Sequence, residues 1–259
     1  MTQAMAVARL STTPVKGLAL HHPPHVDVTV GGVTGDREFF LVEDSGALIS
    51  CTDIGDLMRV SAEYDAGTRV LTVHGADGVL RSEAVEPGEA LTTDFYGLRD
   101  VPGHVAAGWG DLFSEIAGRS VRLVHGESGG FDVGGVSLLC TSSTESLAAR
   151  NDADPVDARR FRMNVEISGA APHDEDTWDG RELRVGEVVL RAGGPVKRCA
   201  ATTRNPDTGV VDLQTLRMIR TARGRQQTPE WGAGFYFGVY AEVLTPGRVH
   251  LDDAVALLR

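Results

Sequence analysis

The stretch GPVKRCAATTRNPDTG, residues 194–209, gathers reactive side chains most closely: Lys197 and Arg198 run directly into Cys199, and an Asn-Pro-Asp-Thr-Gly turn follows. A thiol acts as a nucleophile or metal ligand only as the thiolate, and adjacent cations favour that form. On a plain strand Lys197 and Cys199 share a face while Arg198 points the other way, so the sulfur has at least one candidate cation. A cysteine at a strand end beside a turn is positioned to meet a ligand. A lone cysteine is equally at home as a small buried hydrophobe, and the local pattern leaves both readings open. Lysine is scarce: Lys16 and Lys197 are the only two among 25 basic residues, each in a Pro-Val-Lys tripeptide. Either an arginine-biased genome left them by chance, or both positions want a compact, strongly hydrated point charge and not a planar fork.

Two further groups could handle a ligand. In VSLLCTSSTESLAARN an apolar run over residues 136–139 stops at a cluster of hydroxyls, and a helix is expected over 144–150. Free backbone N–H groups and hydroxyls at such a junction suit an anion, although Ser142 or Ser143 could simply cap the helix. RRFRMNVEISG reads as a strand with Arg160, Arg162 and Asn164 on one face. Other chemistries lack their signatures: there is no HExxH, no GxSxG, no phosphate-binding P-loop and no GxGxxG between a strand and a helix. His21 and His22, before two prolines, read as solvated loop residues, and the acidic run HDEDTWDG reads as a solvated turn.

The elements that must position these groups are mostly strands. VDVTVGG, REFFLVEDSGALIS and RVLTVHGADGVLRSEA cluster or alternate apolar residues over short spans, with a hairpin turn at residues 44–46. GDLFSEIAGR predicts a short helix capped by Asp111, and the division between two lobes falls near residue 115, giving domains 1–114 and 115–259. Beyond it, SVRLVH predicts a strand, LRVGEVVLRAGG a strand pair, VDLQTLRMIRTARG a helix ending at Gly224, and GFYFGVYAEVL with GRVHLDDAVALL closing strands. RGRQQTPEWGAG reads as a loop. With 259 residues, 42% of them hydrophobic, the chain can bury a sizeable core without staples. A formal net charge of -11 argues against nucleic acid and acidic membrane surfaces as partners. Cys51, Cys140 and Cys199 are an odd number with no CxxC, so neither a disulfide framework nor a structural zinc site is expected. No segment has the length of a secretory or membrane-spanning run, and a reducing, cytoplasmic setting is the expectation.

Taken in order and spacing, the motifs resemble the MOSC-domain family, whose members are similar to the C-terminal domain of molybdenum cofactor sulfurase, in the two-lobed branch that includes the amidoxime-reducing components. LSTTPVKG and GVTGDREFFLVEDSG carry the likeness in the first lobe. LLCTSSTESL, RFRMNVEISG, EDTWDG, VGEVVLR, KRCAATTRNPDTG, FGVYAEVLTPG and GRVHLDDAV carry it in the second. The resemblance implies a mainly β fold with a few helices (α+β), an N-terminal β-barrel lobe packed on a β-barrel-like MOSC domain. It implies a molybdenum cofactor (molybdopterin) between the lobes, with Cys199 as catalytic residue and metal ligand. By motif position, Lys16 and Arg37 would bind the cofactor from the first lobe; Ser143, Arg162 and Asn164 would do so from the second, with Arg198 and Tyr240 near the metal. The implied activity is reduction of N-hydroxylated small molecules. No cysteine cluster suggests a built-in iron–sulfur centre, so electrons would come from a separate flavin or iron–sulfur protein. The alternatives are sulfur transfer through a Cys199 persulfide and a non-catalytic cofactor carrier. The sequence departs from the family pattern at Gly17, where serine is expected, at Thr52, where arginine is, and at Met163, where proline is.

Overall fold

The computed structural model describes residues 4–229 and 232–258. It is mainly β with three helices, as expected, and its strands form two barrel-like groups. The larger sheet has seven strands in the order Ala6–Leu10, Val165–Ser168, Val136–Cys140, Tyr236–Thr245, Val188–Lys197, Glu182–Val185 and Val255–Leu257. A bridge between Ala6 and Ala254 brings its two ends together, so the sheet nearly closes. Alternation divides its side chains between two cores. Val136, Leu138 and Cys140 face the barrel interior with Trp178, Leu183 and Val239. Leu139 turns outward to a second core under the helices α2 (Thr141–Ala149) and α3 (Thr215–Arg223), with Leu147, Phe161, Met163, Ile219 and Phe237.

The other group is a five-stranded sheet in the order Leu48–Ile49, Phe39–Val42, Arg122–Gly126, Arg99–Ala106 and Pro87–Phe95, beside a three-stranded meander of Ser61–Asp65, Val70–Gly75 and Gly78–Ala84. Here too period 2 sorts the residues: Phe39 and Leu41 join Leu57, Leu71, Trp109 and Phe113, while Phe40 and Val42 join Phe95, Val101 and Val124. The hairpin expected at residues 44–46 forms, closed by the Gly46 N–H to the Glu43 carbonyl.

Strand pairing does not follow the chain as a single cut at residue 115 would. Ala6–Leu10 pairs with Val165–Ser168, and His25–Thr29 pairs with Gly247–His250, so the first residues belong to the second group. Arg122–Gly126, conversely, sits between Phe39–Val42 and Arg99–Ala106 in the first.

Four local expectations need correction. The helix α1 (Gly110–Ala117) starts from Trp109, with Asp111 inside its first turn and not at the cap. Helix α2 begins directly at Thr141 with Cys140 as N-cap, so Ser142 and Ser143 lie within it. Residues 159–164 are not strand: Ala158–Phe161 is a 3-10 turn and Arg162 adopts a left-handed φ of 52°, so the strand begins only at Val165. RGRQQTPEWGAG is not an open loop, since Gln226–Thr228 pairs with Gly232–Gly234; residues 230 and 231 fall outside the described residues.

Candidate functional site

Between the two sheet groups lies a cleft to which both contribute. Lys16 follows a bridge between Val15 and Phe39, and its backbone N–H donates to the Phe39 carbonyl at 2.8 Å. That contact carries the lysine inward: it is 8% exposed, and its Nζ donates to the Gly130 carbonyl at 3.0 Å and the Asp132 carboxylate at 2.6 Å. Arg37, at a φ of 51°, ion-pairs with the buried Asp36 and donates to the Arg162 carbonyl at 2.8 Å. Arg162 in turn donates to the Leu18 carbonyl at 2.7 Å, so each sheet group holds an arginine of the other.

Arg198 is turned into the same cleft. The strand was expected to aim it away from Lys197 and Cys199, but the ladder ends at Lys197 after three register shifts, and all three residues line one cavity. A bulge at Gly238 makes room. Its φ is 76°, and a Cβ there would sit 2.7 Å from Met163 Cε and 2.8 Å from the Leu138 carbonyl. Through that gap the Arg198 guanidinium donates to the Phe237 carbonyl at 2.8 Å and the Phe161 carbonyl at 2.9 Å, with Met163 Sδ at 2.7 Å. The same bulge shifts the strand's phase, which puts Tyr240 on the cleft side.

Cys199 is exposed, in extended backbone just before the 3-10 turn Ala200–Thr203, with its Sγ 3.5 Å from Thr52 Oγ1 of the other sheet group. The Thr52 carbonyl also accepts from Arg204 at 2.9 Å, which ties the thiol's turn across the cleft. Tyr240 lines the cleft beside it; burial, reinforced by Asp132, pushes its phenol up to about 12.

The electrostatics of this cleft run against the rest of the molecule. In a chain of net charge -11, the described residues lining it include Lys16, Arg37, Arg160, Arg162, Lys197 and Arg198 against one carboxylate, Asp132. Arg160 is matched by Asp212 at 2.7 Å. Arg162 and Arg198 hydrogen-bond neutral carbonyls, and burial lowers both, Arg198 to about 10. A desolvated cation among neutral partners costs several kcal/mol, on the order expected of any buried unpaired ion. An anionic ligand in the cleft would offset that cost. A soft thiol at the mouth, cationic walls and a phenol held protonated thus fit an anionic group with a thiophilic centre.

Seven of the eight residues expected at the site therefore border the cleft, Lys16, Arg37, Arg162, Asn164, Arg198, Cys199 and Tyr240. Asn164 does so with its polar atoms committed to the protein. Its Oδ1 accepts from Ser137 N–H and Oγ, and its Nδ2 donates to the Ser11 carbonyl and Asp36 Oδ2. It holds the carboxylate that pairs with Arg37. Ser143 is a correction: it is fully buried away from the cleft, its hydroxyl donating to Glu175 Oε2 at 2.9 Å and accepting the His173 N–H at 2.8 Å. The acidic run read as solvated accounts for this, because Glu175 and Trp178 are buried and their turn takes the serine's hydroxyl. His21 is half-buried, bonded to the Ala62 carbonyl, whereas His22 is exposed as expected, beside Ser11 and the Leu10 carbonyl. Sequence reasoning passed over Asp132, Tyr96, Ser50 and Ser137. Asp132 had one available signal, an acidic residue alone in the glycine-rich run GGFDVGG.

Two protein-family descriptions match most of the chain. The MOSC domain family matches residues 127–256, and the MOSC N-terminal beta barrel domain matches residues 4–95. Mitochondrial amidoxime-reducing component 1 of Mus musculus is 27% identical over 290 residues, spanning 100% of this chain and 84% of that protein. Molybdenum cofactor sulfurase of Oryza sativa subsp. japonica is 25% identical over 238 residues, covering 76% of this chain and 29% of that protein. A solved structure, the YUAD protein from Bacillus subtilis, aligns with 98% of this chain and 94% of its own at 13% identity, with a TM-score of 0.46.

Proposed function

The chain belongs to the MOSC domain family, and from that premise we propose that it is a molybdenum-cofactor oxidoreductase that reduces N-hydroxylated small molecules with electrons from a separate donor protein. The observation that carries this reading is the cationic cleft of an acidic protein opening on an exposed thiol. In the overall reaction the N–O bond of R–NH–OH breaks and water leaves. Two electrons from a flavin or iron–sulfur protein and two protons complete R–NH2. When bound, the cofactor supplies a metal able to exchange two electrons and an anionic pterin phosphate for the cleft to hold.

This chain's own residues bind, orient and hold protons. Lys16 and Arg37 from one sheet group and Arg162 from the other would neutralise the phosphate and pterin end, their geometry set by Asp36, Asn164 and the Leu18 carbonyl. Arg198, anchored on the Phe237 and Phe161 carbonyls, would supply positive potential beside the thiol. Cys199 would be the protein's soft ligand to the metal, with Thr52 Oγ1 fixing the sulfur's orientation. Tyr240 Oη keeps its proton at neutral pH and can donate a hydrogen bond to a substrate oxygen. The test is anaerobic turnover of benzamidoxime with a reduced viologen dye as electron source, using protein made in a host that synthesises the cofactor. Turnover is expected in the parent and not in Cys199→Ala; equal turnover in both would remove the thiolate from the mechanism.

A further inference from the structure

A second cavity of about 410 Å³ opens from the same thiol. It shares Thr52, Tyr96, Asp132, Lys197, Arg198, Cys199 and Tyr240 with the cationic cleft, but its own walls are Leu48, Leu98, Val133 and Pro195, with one carboxylate, Asp53. A volume of that order matches a small organic ligand and not an ion or a water cluster. One side of Cys199 is thus cationic, and the walls that only the other side has are mostly apolar.

The rim of the apolar side is unusual in its backbone. Tyr96 and Gly97 are the central residues of the turn joining Pro87–Phe95 to Arg99–Ala106, closed by the Leu98 N–H to the Phe95 carbonyl at 3.0 Å. Both have positive φ, 60° and 71°. Asparagine, aspartate or glycine suits the first of these positions, whereas a tyrosine is strained there. Tyr96 and Leu98 also remain 55% and 45% exposed, among the larger apolar side chains left at the surface. Strain and exposure together at a cavity mouth are what a ligand contact would select. Tyr96 also lines the cationic cleft, beside Ser50, so it borders both cavities.

We propose that this cavity is the substrate chamber and that Tyr96, with Leu98, is its specificity-determining contact, selecting N-hydroxylated substrates with a flat apolar body, such as aryl amidoximes, over bodiless ones such as hydroxylamine. The inference rests on the reductase reading of the same site. It requires the apolar part of the substrate to lie against Tyr96, Leu98, Leu48 and Val133 while the N–O group reaches the Cys199 side. Leu48 and Val133 are contributed by neighbouring segments, so the chamber's shape depends on both sheet groups.

The test uses the molybdenum-loaded protein and two variants, Tyr96→Asn and Leu98→Ala. Asparagine suits the positive φ, so Tyr96→Asn should fold with an unchanged or higher Tm. Its kcat/KM for benzamidoxime, divided by that for hydroxylamine, should fall about tenfold, with the loss in KM and molybdenum content unchanged. Leu98→Ala should shift the ratio the same way. Calorimetric titration with the product analogue benzamidine gives a readout without turnover, and its affinity should weaken by a similar factor in both variants. An unchanged substrate ratio together with unchanged benzamidine affinity would overturn the chamber assignment. If the parent reduces neither compound but binds benzamidine in a Tyr96-dependent way, the chamber stands and the reductase reading fails. If it neither reduces nor binds, both fail.

Discussion

Cys199 and the arginines around it behave differently in the folded chain, and the contrast decides what each substitution should do. The thiol is exposed and contributes no core, so Cys199→Ala should keep the unfolding free energy within about 0.5 kcal/mol of the parent. A larger loss in a denaturant titration would give the cysteine a packing role. Arg162 is half-buried with its guanidinium on the Leu18 carbonyl, and in cofactor-free protein no anion offsets its partial desolvation. Arg162→Met should leave apo stability within about 1 kcal/mol of the parent, or raise it, while lowering molybdenum per chain. Full metal content in that variant would refute its assignment. Gly17 has a structural reason of its own: at a φ of 96°, a Cβ would stand 2.9 Å from the Cys51 backbone nitrogen. Gly17→Ser, which installs the residue expected at this position, should therefore destabilise by about 1–3 kcal/mol, readable as a drop in denaturant midpoint. At this scale the cations beside Cys199 were legible, because charge and thiol are written in sequence. Tyr96 and Asp132 were not, since nothing local says that a strained turn and a glycine-rich run converge on that sulfur.

Elements fix which hydroxyls and carboxylates are free to act. The turn Asp174–Thr177 lies against the junction of Val136–Cys140 and α2, where Glu175 takes the Ser143 hydroxyl and the neighbouring Cys140 thiol is pushed up, mainly by burial. Burial likewise raises the Glu175 carboxyl above its ordinary value of 4.5. The unfolded chain then releases that proton at lower pH than the folded one, so the group costs stability as pH rises above 4.5. Glu175→Gln keeps an acceptor for Ser143 and cannot ionise. Its stability relative to the parent should increase with pH through the mildly acidic range, and a flat difference between acid and neutral pH would show that burial does not raise the Glu175 carboxyl. This turn was misread because acidic runs are ordinarily solvated; its burial comes from Trp178 entering the barrel core. The strand periods themselves were readable, whereas the break at Arg162 and the bulge at Gly238 depend on contacts far along the chain.

At the scale of the whole molecule, the cleft exists because the chain crosses between its two sheet groups. Residues 6–10 and 25–33 complete the second, and Arg122–Gly126 completes the first. Fragments 1–114 and 115–259 should therefore each fail to fold alone, showing poor amide dispersion by NMR, and should regain native dispersion when coexpressed. A cooperative melt from either fragment by itself would contradict this interleaving. The mainly β character and family membership were legible from end to end; the interleaving was not, because strand partners more than a hundred residues apart leave no local mark. Among the described residues no helix is long and apolar enough to cross a membrane. Whether this cleft holds a molybdenum cofactor through Cys199 is read from elemental analysis of protein made in a cofactor-synthesising host. The expected result is near-stoichiometric molybdenum in the parent and its loss in Cys199→Ala; protein without molybdenum or pterin, carrying labile sulfur on Cys199 instead, would contradict it and identify a sulfur carrier.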